Sequence, residues 1–300
     1  MKITRFPTNP LLIANHPPSI GANLNGPSVI RVPDWIKNPL GRYYLYFAHH
    51  QGLYIRLAYA DSIFGPWKVF EPGTLRLEQT VCVKHIASPD VHVDPINQEI
   101  RMYFHGPVDR FPAGMTEQPN TAKQLSFLSI SKDGLTFKAN SEILGAPYFR
   151  VFQYDEWYYA LGMPGILYRS KDGVSHFEQG PTLFDKNMRH SALHRIGDKL
   201  WVYYSIVGQE PEHIVRSMID LKADWSFWQA TPPEDVLFPE LEYEGADLPL
   251  EKSVRGWAPE RVRQLRDPGI FEEDGQVYLF YSIAGEYGLA GCRLEEETVS

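Results

Sequence analysis

Five times along the chain, a short segment ending in a turn gives way to a dense run of apolar and aromatic residues. The runs are Tyr43-Tyr44-Leu45-Tyr46-Phe47, Met102-Tyr103-Phe104, Trp157-Tyr158-Tyr159-Ala160-Leu161, Trp201-Val202-Tyr203-Tyr204-Ser205 and Val277-Tyr278-Leu279-Phe280-Tyr281-Ser282. The segments that precede them are Gly26-Pro27-Ser28-Val29-Ile30, Ser88-Pro89-Asp90-Val91-His92-Val93, Ala146-Pro147-Tyr148-Phe149-Arg150-Val151, Ser191-Ala192-Leu193-His194-Arg195-Ile196 and Asp267-Pro268-Gly269-Ile270-Phe271. Aromatic and β-branched residues suit a pleated, half-buried surface, so each pair reads as two strands. A unit that cannot bury its own apolar face must stack on copies of itself. Five units of roughly 60 residues each predict an all-β, five-bladed β-propeller. No Gly/Ser-rich or Pro-rich linker divides the chain, so residues 1–300 are expected to form one propeller domain.

A third strand follows in each unit: Tyr54–Ala60, Leu125–Ile130, Ile166–Arg169, Ile214–Met218 and Gly288–Leu294. Asp133-Gly134 and Asp172-Gly173 mark hairpins, because Gly accepts φ > 0 there. The aromatic just beyond such a turn opens an outer strand, and in the fourth unit Asp224–Trp228 stands at that place. The fifth unit ends too early for an outer strand, so Lys2–Phe6 is expected to supply it and close the ring. Thr231–Leu265 carries Pro232, Pro233, Pro239, Pro249 and Pro259, and reads as a cap over or beside the axial pocket. Arg110–Gln124 reads as a second rim loop.

Charge narrows the partners. Lys and Arg number 29 against 37 Asp and Glu, a net charge of −8, and no basic run argues for nucleic acid. No stretch approaches ~18 consecutive apolar residues, so no membrane span is expected. The N-terminus lacks the apolar core of a secretion signal, so the chain as it stands reads as cytoplasmic, with secretion open if a signal once preceded it. Cys82 and Cys292 read as two buried thiols rather than a disulfide. The 13% aromatic content suits β structure, and also sugar-ring stacking.

The frame Tyr43-Tyr44-Leu45-Tyr46-Phe47, Ile55-Arg56-Leu57-Ala58-Tyr59-Ala60-Asp61, Gly65-Pro66-Trp67 resembles the first blade of five-bladed glycoside hydrolases of family 43 and their relatives. Arg266–Leu279 resembles their unit of Asp-Pro, apolar strand, Asp-Gly and Tyr-Leu. The resemblance implies a carbohydrate substrate and a catalytic trio on blades one to three. At the matching positions stand Gly26, Ser88 and Gly145, none of which is an acid. Three readings stay open: a glycosidase with relocated acids, a glycoside phosphorylase, and a non-catalytic carbohydrate-binding propeller. The resemblance requires no cofactor and allows a structural cation in the central channel.

Glycosidic hydrolysis commonly uses two carboxyl groups flanking the bond. Asp90 and Asp267 stand on inner strands, and Glu286 lies in a Gly-flanked loop after the fifth unit's second strand. Asp90 alternates with Ser88 and His92 on one face, expected to line a wet channel; its structural alternative is a turn cap. Asp267 could instead pair with Arg266. Asp94 and Asp274 read as turn residues. His190 is a further catalytic candidate, since imidazole exchanges protons near neutrality, and the resemblance places it facing the channel. His49, His50 and His105 end second strands and join His92 as candidate substrate contacts. Asn23 and Asn25 suit sugar hydroxyls, because amides both donate and accept. Arg150, Arg189 and Arg266 could bind a carboxylated or sulfated sugar, or phosphate.

Overall fold

The paired aromatic runs stack into five antiparallel sheets around one axis. In the computed structural model, which describes residues 1–113 and 123–295, each of the five repeats becomes one blade of a β-propeller. Blade one runs Asn25–Arg31, Tyr43–Ala48, Tyr54–Ala60 and Lys68–Arg76 from axis to rim. Blade two runs Ala87–Asp94, Glu99–Pro107, Gln124–Ser131 and Lys138–Ala139. Blade three is Arg150–Tyr154, Trp157–Gly162, Ile166–Ser170 and Glu178–Thr182. Blade four is Met188–Ile196, Lys199–Ile206, Ile214–Asp220 and Glu234–Leu237.

Blade five is assembled from both ends of the chain. Arg266–Glu273, Gln276–Ile283 and Gly288–Glu295 are joined at the rim by Lys2–Arg5, with Lys2 opposite Glu295 and Arg5 opposite Cys292. The expected N-terminal closure is therefore present. Phe6 follows it into the core and meets Phe64, Tyr278 and Phe280 edge-on.

The apolar runs fill the spaces between blades. Between blades three and four, Trp228 packs on Phe152 and Tyr159, with Trp225 beside Tyr159. Asp224–Trp228 is not the start of the outer strand. The Asp224 carboxylate accepts the Ser226 N–H at 3.0 Å and caps a single 3-10 turn, which turns the two tryptophans inward. The outer strand begins only at Glu234, inside the segment read as a cap.

Tyrosine hydroxyls tie neighbouring blades together. Tyr46 donates to the carbonyl of Gly134, and Tyr103 to that of Gly173, so the second strand of one blade grips the Asp-Gly turn of the next. Asp133 and Asp172 hold those turns by accepting two following backbone N–H groups each. Both cysteines are free and buried, and no helix among the described residues is long and apolar enough to cross a membrane.

Candidate active site

One backbone device opens every inner strand. Gly26, Ser88, Tyr148, His190 and Asp267 all sit in the left-handed region, with φ of 58°, 46°, 61°, 52° and 49°. In four blades the strand register slips there, between Asn25 and Ser28, Ala87 and Asp90, Arg189 and Ala192, and Arg266 and Gly269. A bulge of this kind re-aims a side chain and ends pairing. Non-glycine residues in this conformation are strained and concentrate at functional sites. The third-blade counterpart of Gly26 and Ser88 is thus Tyr148, not Gly145. Gly145 lies one turn earlier, bridged to Ser126 and packed on the Tyr168 ring. The ring of equivalent positions reads Gly, Ser, Tyr, His, Asp, with its single carboxyl group on blade five.

That carboxyl group has unusual surroundings. Asp267 is 1% exposed, and neither of its oxygens has a hydrogen-bond partner. His190 Nδ1 stands 3.1 Å from its Oδ1 but is not aligned to donate, and is itself unpartnered. Burial, then repulsion from Glu286, raises the Asp267 pKa from 3.8 to about 7 against the pull of Arg189 and Arg266. Burial and the same two guanidiniums push His190 well below its ordinary value, so it is neutral.

Glu286 is the counterpoise. Its carboxylate accepts from Asn23 Nδ2 at 2.5 Å, Asn25 Nδ2 at 3.4 Å and Arg266 Nη1 at 3.1 Å, with His50 Nδ1 at 3.5 Å. Burial opposes its charge, but His50, Arg266 and Asn23 together outweigh that and bring its pKa down to about 2. Of the two buried carboxyls, Asp267 is therefore the one whose surroundings favour the protonated form, and Glu286 the one held ionised. Asn23 also accepts the His50 backbone N–H at 2.9 Å, fixing the histidine's loop over the acid. On the opposite wall the rings of His105, Tyr148 and His190 follow one another, with centroids 4.1 and 4.9 Å apart. Asn25 Oδ1 and His105 Nδ1 are also buried without partners. Buried polar atoms are nearly always paired, so this concentration of unpaired ones marks a place shaped for a ligand.

The structure divides the remaining candidates. Asp267, Glu286, His190, Asn23, Asn25, His50 and Arg266 come together. Asp90 does not join them: it accepts the Val151 N–H and bonds His92 Nε2, both at 2.8 Å. With His92 and Arg150 it lines a cavity of about 680 Å³ formed by the later parts of the inner strands. Arg150 donates to the carbonyls of Ser191, Ser88 and Phe149, and so clasps three blades. Arg189 forms a two-pronged pair with Glu212 at 2.9 and 2.6 Å, and both it and Arg266 donate to the Gly256 carbonyl. The 231–265 segment thereby closes on the site, as expected of a cap. Asp94 accepts from Ile96, Asn97 and Arg101 and is a turn residue. Most of the Arg110–Gln124 rim loop lies outside the described residues.

Glu212 was not foreseen. It is fully buried, and Ser205 Oγ donates to it at 2.7 Å. Its signal was available: like Glu286, it lies between the second and third strands of its blade. Among the described residues no group of three or more His, Cys, Asp or Glu side chains is arranged to hold a metal ion. Arg150, Arg189 and Arg266 are gathered at this end of the inner strands.

In fold this is a five-bladed β-propeller like those of family 43 glycoside hydrolases. It is similar to the family 43 β-xylosidase/α-arabinofuranosidase CoXyl43 from a compost metagenome, solved with xylotriose, with a TM-score of 0.61 and 13% identity over 92% of both chains. The GH43_1 enzyme of Xanthomonas citri gives a TM-score of 0.61 and 12% identity over 92% of this chain and 89% of that one. An exo-β-1,3-galactanase of Phanerochaete chrysosporium gives 0.58 and 10% over 90% and 60%. In sequence, the chain is 37% identical over 332 residues to the uncharacterized protein R118 of Acanthamoeba polyphaga mimivirus, covering 97% of this chain and 90% of the relative. The chain belongs to the family of that viral protein. No protein-family model matches it.

Proposed function

We propose that this propeller hydrolyses a glycosidic bond in an oligo- or polysaccharide, with Asp267 as proton donor and Glu286 as the ionised carboxylate. The observation that carries this reading is Asp267: buried, with neither oxygen hydrogen-bonded, and with its pKa raised toward neutrality by burial and by Glu286. A general acid works best with a pKa near the working pH. Asp267 gives its proton to the glycosidic oxygen as the bond to the anomeric carbon breaks. Water then delivers hydroxide to that carbon, and its remaining proton restores the acid. Glu286 has too low a pKa to be a strong base, so its role is to stabilise positive charge growing on the sugar ring. Neutral His190 and Asn25 offer unpaired atoms to sugar hydroxyls, and Tyr148 offers a ring face. Glycosidases and xylooligosaccharide complexes among the similar folds support a carbohydrate ligand, although fold alone does not fix chemistry.

A phosphate-dependent reaction has less support, because Arg150, Arg189 and Arg266 are already engaged by carbonyls and carboxylates. The test is a screen of purified protein against aryl glycosides and plant or algal oligosaccharides, with and without inorganic phosphate, read by released sugar. We expect phosphate-independent turnover that Asp267→Asn lowers about 100-fold or more. Asp90→Asn should retain activity within a few-fold. Equal loss in both variants, or a strict phosphate requirement, contradicts the assignment. Sugar binding without turnover on any substrate moves the protein to the non-catalytic class.

A further inference from the structure

One buried cation of the entrance has no counter-ion. Arg56 is the single charged residue in the apolar third strand Tyr54–Ala60 of blade one, and it is 6% exposed. Its Nε and Nη1 are buried with no hydrogen-bond partner, and no carboxylate contributes to its electrostatics. Its favourable contact is with Tyr54, whose ring centre lies 4.7 Å from the guanidinium carbon. Burial holds its pKa below the ordinary arginine value, with Tyr54 alone opposing. Desolvating an unpaired guanidinium is costly, so a fold that keeps one has a use for its donors.

The surroundings are built around that group. A Cβ on Gly21 would stand 3.2 Å from Arg56 Nη2, and a Cβ on Gly52 3.2 Å from Nη1, so two glycines let the backbone pack closely on the guanidinium without a side chain covering it. His49 Cδ2 borders the same space, 3.2 Å from the Gly21 position. His49 Nδ1 accepts the Gln51 N–H at 3.0 Å, which places the ring proton on Nε2 as a second donor. Burial and then Arg56 depress the His49 pKa to about 4, so it stays neutral and donates without adding charge. Glu286 is near enough to pull that pKa the other way, and His50, the next residue, faces the Glu286 carboxylate. The donor pair therefore stands beside the candidate active site, reached past half-buried His49.

We infer that Arg56 and His49 form a subsite for an oxyanion carried by the saccharide, a uronic-acid carboxylate or a sulfate ester. This inference rests on the carbohydrate reading of the entrance but not on turnover. Guanidinium forks match carboxylate and sulfate oxygens two at a time. The three arginines that sequence alone offers for this task are consumed within the fold, and Arg56 is left to perform it.

The test is equilibrium binding by calorimetry with D-glucuronate, D-glucose 6-sulfate and neutral D-glucose, on the full chain. The anionic sugars should bind at least about tenfold more tightly than glucose, the size of one charge-assisted contact. The tighter of the two identifies the oxyanion. Arg56→Met should abolish the preference while raising the melting temperature, since it removes an unpaired buried charge. His49→Ala, at a half-exposed position, should weaken anion binding several-fold in a folded protein. Equal affinity for charged and neutral sugars, or an anion preference that survives Arg56→Met, overturns the subsite. Hydrolysis can fail in every assay while this preference stands, and it can succeed while the preference fails, so the two proposals are judged separately.

Discussion

At the scale of single residues, two acids of similar intrinsic strength are driven apart by their neighbours. Glu286 has Asn23, His50 and Arg266 around it; Asp267 has an unaligned neutral histidine and no bonded donor. This leaves a signature in stability. The Asp267 pKa is raised on folding, so the unfolded chain loses the proton first as pH rises. The stability from this group is fully present below about pH 4 and is lost between there and about pH 7. Asp267→Asn, which cannot ionise, should gain stability over the parent across that window. Urea midpoints of both proteins at pH 4 and pH 8 measure it, and a difference that does not change with pH shows that Asp267 is ionised in the folded protein. Sequence reading reached Asp267 through its Asp-Pro frame and Glu286 through its flanking glycines. It missed Glu212 and Arg56, because an acid before a strand or an arginine within one reads as solvent-facing until the blades are packed together.

At the scale of the element, the left-handed residue at the head of each inner strand, with a bulge beside it in four blades, decides which side chains face the entrance. Repetition of the aromatic runs made the blades legible, since a period of that length survives substitution at any one position. That left-handed position itself carries no composition signal: Gly, Ser, Tyr, His and Asp all occupy it. Only the Pro that follows in blades one, two and five hints at it, which is why Gly145 was matched where Tyr148 belongs. The blade-four outer strand was misplaced for a related reason, as an Asp cap before two tryptophans imitates the turn-then-strand pattern of its sisters. The bulge also explains why blade one has no acid. Gly26 has φ 58°, and a Cβ there would stand 2.7 Å from the Ser88 Cα. Blades one and two approach through that gap. Introducing the family-like carboxylate as Gly26→Asp should therefore destabilise the protein by about 2 kcal/mol or more, from backbone strain plus overpacking. It should not raise activity. Thermal unfolding alongside the glycosidase assay checks this, and an active, equally stable variant would show that the first-blade acid position remains usable.

At the scale of the whole molecule, the ring is closed by backbone pairing between the two ends of the described chain. A propeller left open presents unpaired strand edges, which invite aggregation and local opening. Closure here has three supports. Lys2–Arg5 completes the fifth sheet, Phe6 fills the space between blades one and five, and Arg5 pairs with the fully buried Glu244 at 2.7 and 3.0 Å. Glu244 also accepts the Tyr281 hydroxyl and the N–H groups of Glu240 and Leu241, so the N-terminal strand is tied to the cap segment as well as to blade five. Cap, closure and site are linked by this arrangement, since the same 231–265 segment delivers Gly256 to Arg189 and Arg266. Removing residues 1–6 deletes one strand, one core aromatic and the partner of a buried carboxylate. The last loss alone is worth about 3–5 kcal/mol, a large share of the ~5–15 kcal/mol by which domains are stable. The truncated protein should melt many degrees lower, and limited proteolysis should cut first in blade five and the cap rather than in blades two and three. Arg5→Met separates the contributions: it breaks the ion pair but leaves the strand in place, and should fall between the parent and the truncation. If the truncation instead melts with the parent, and cleavage sites are spread evenly over the blades, the ring does not depend on its N-terminal strand, and the cap is held by its other contacts, among them the pairing of Glu234–Leu237 with blade four and the Gly256 carbonyl on Arg189 and Arg266.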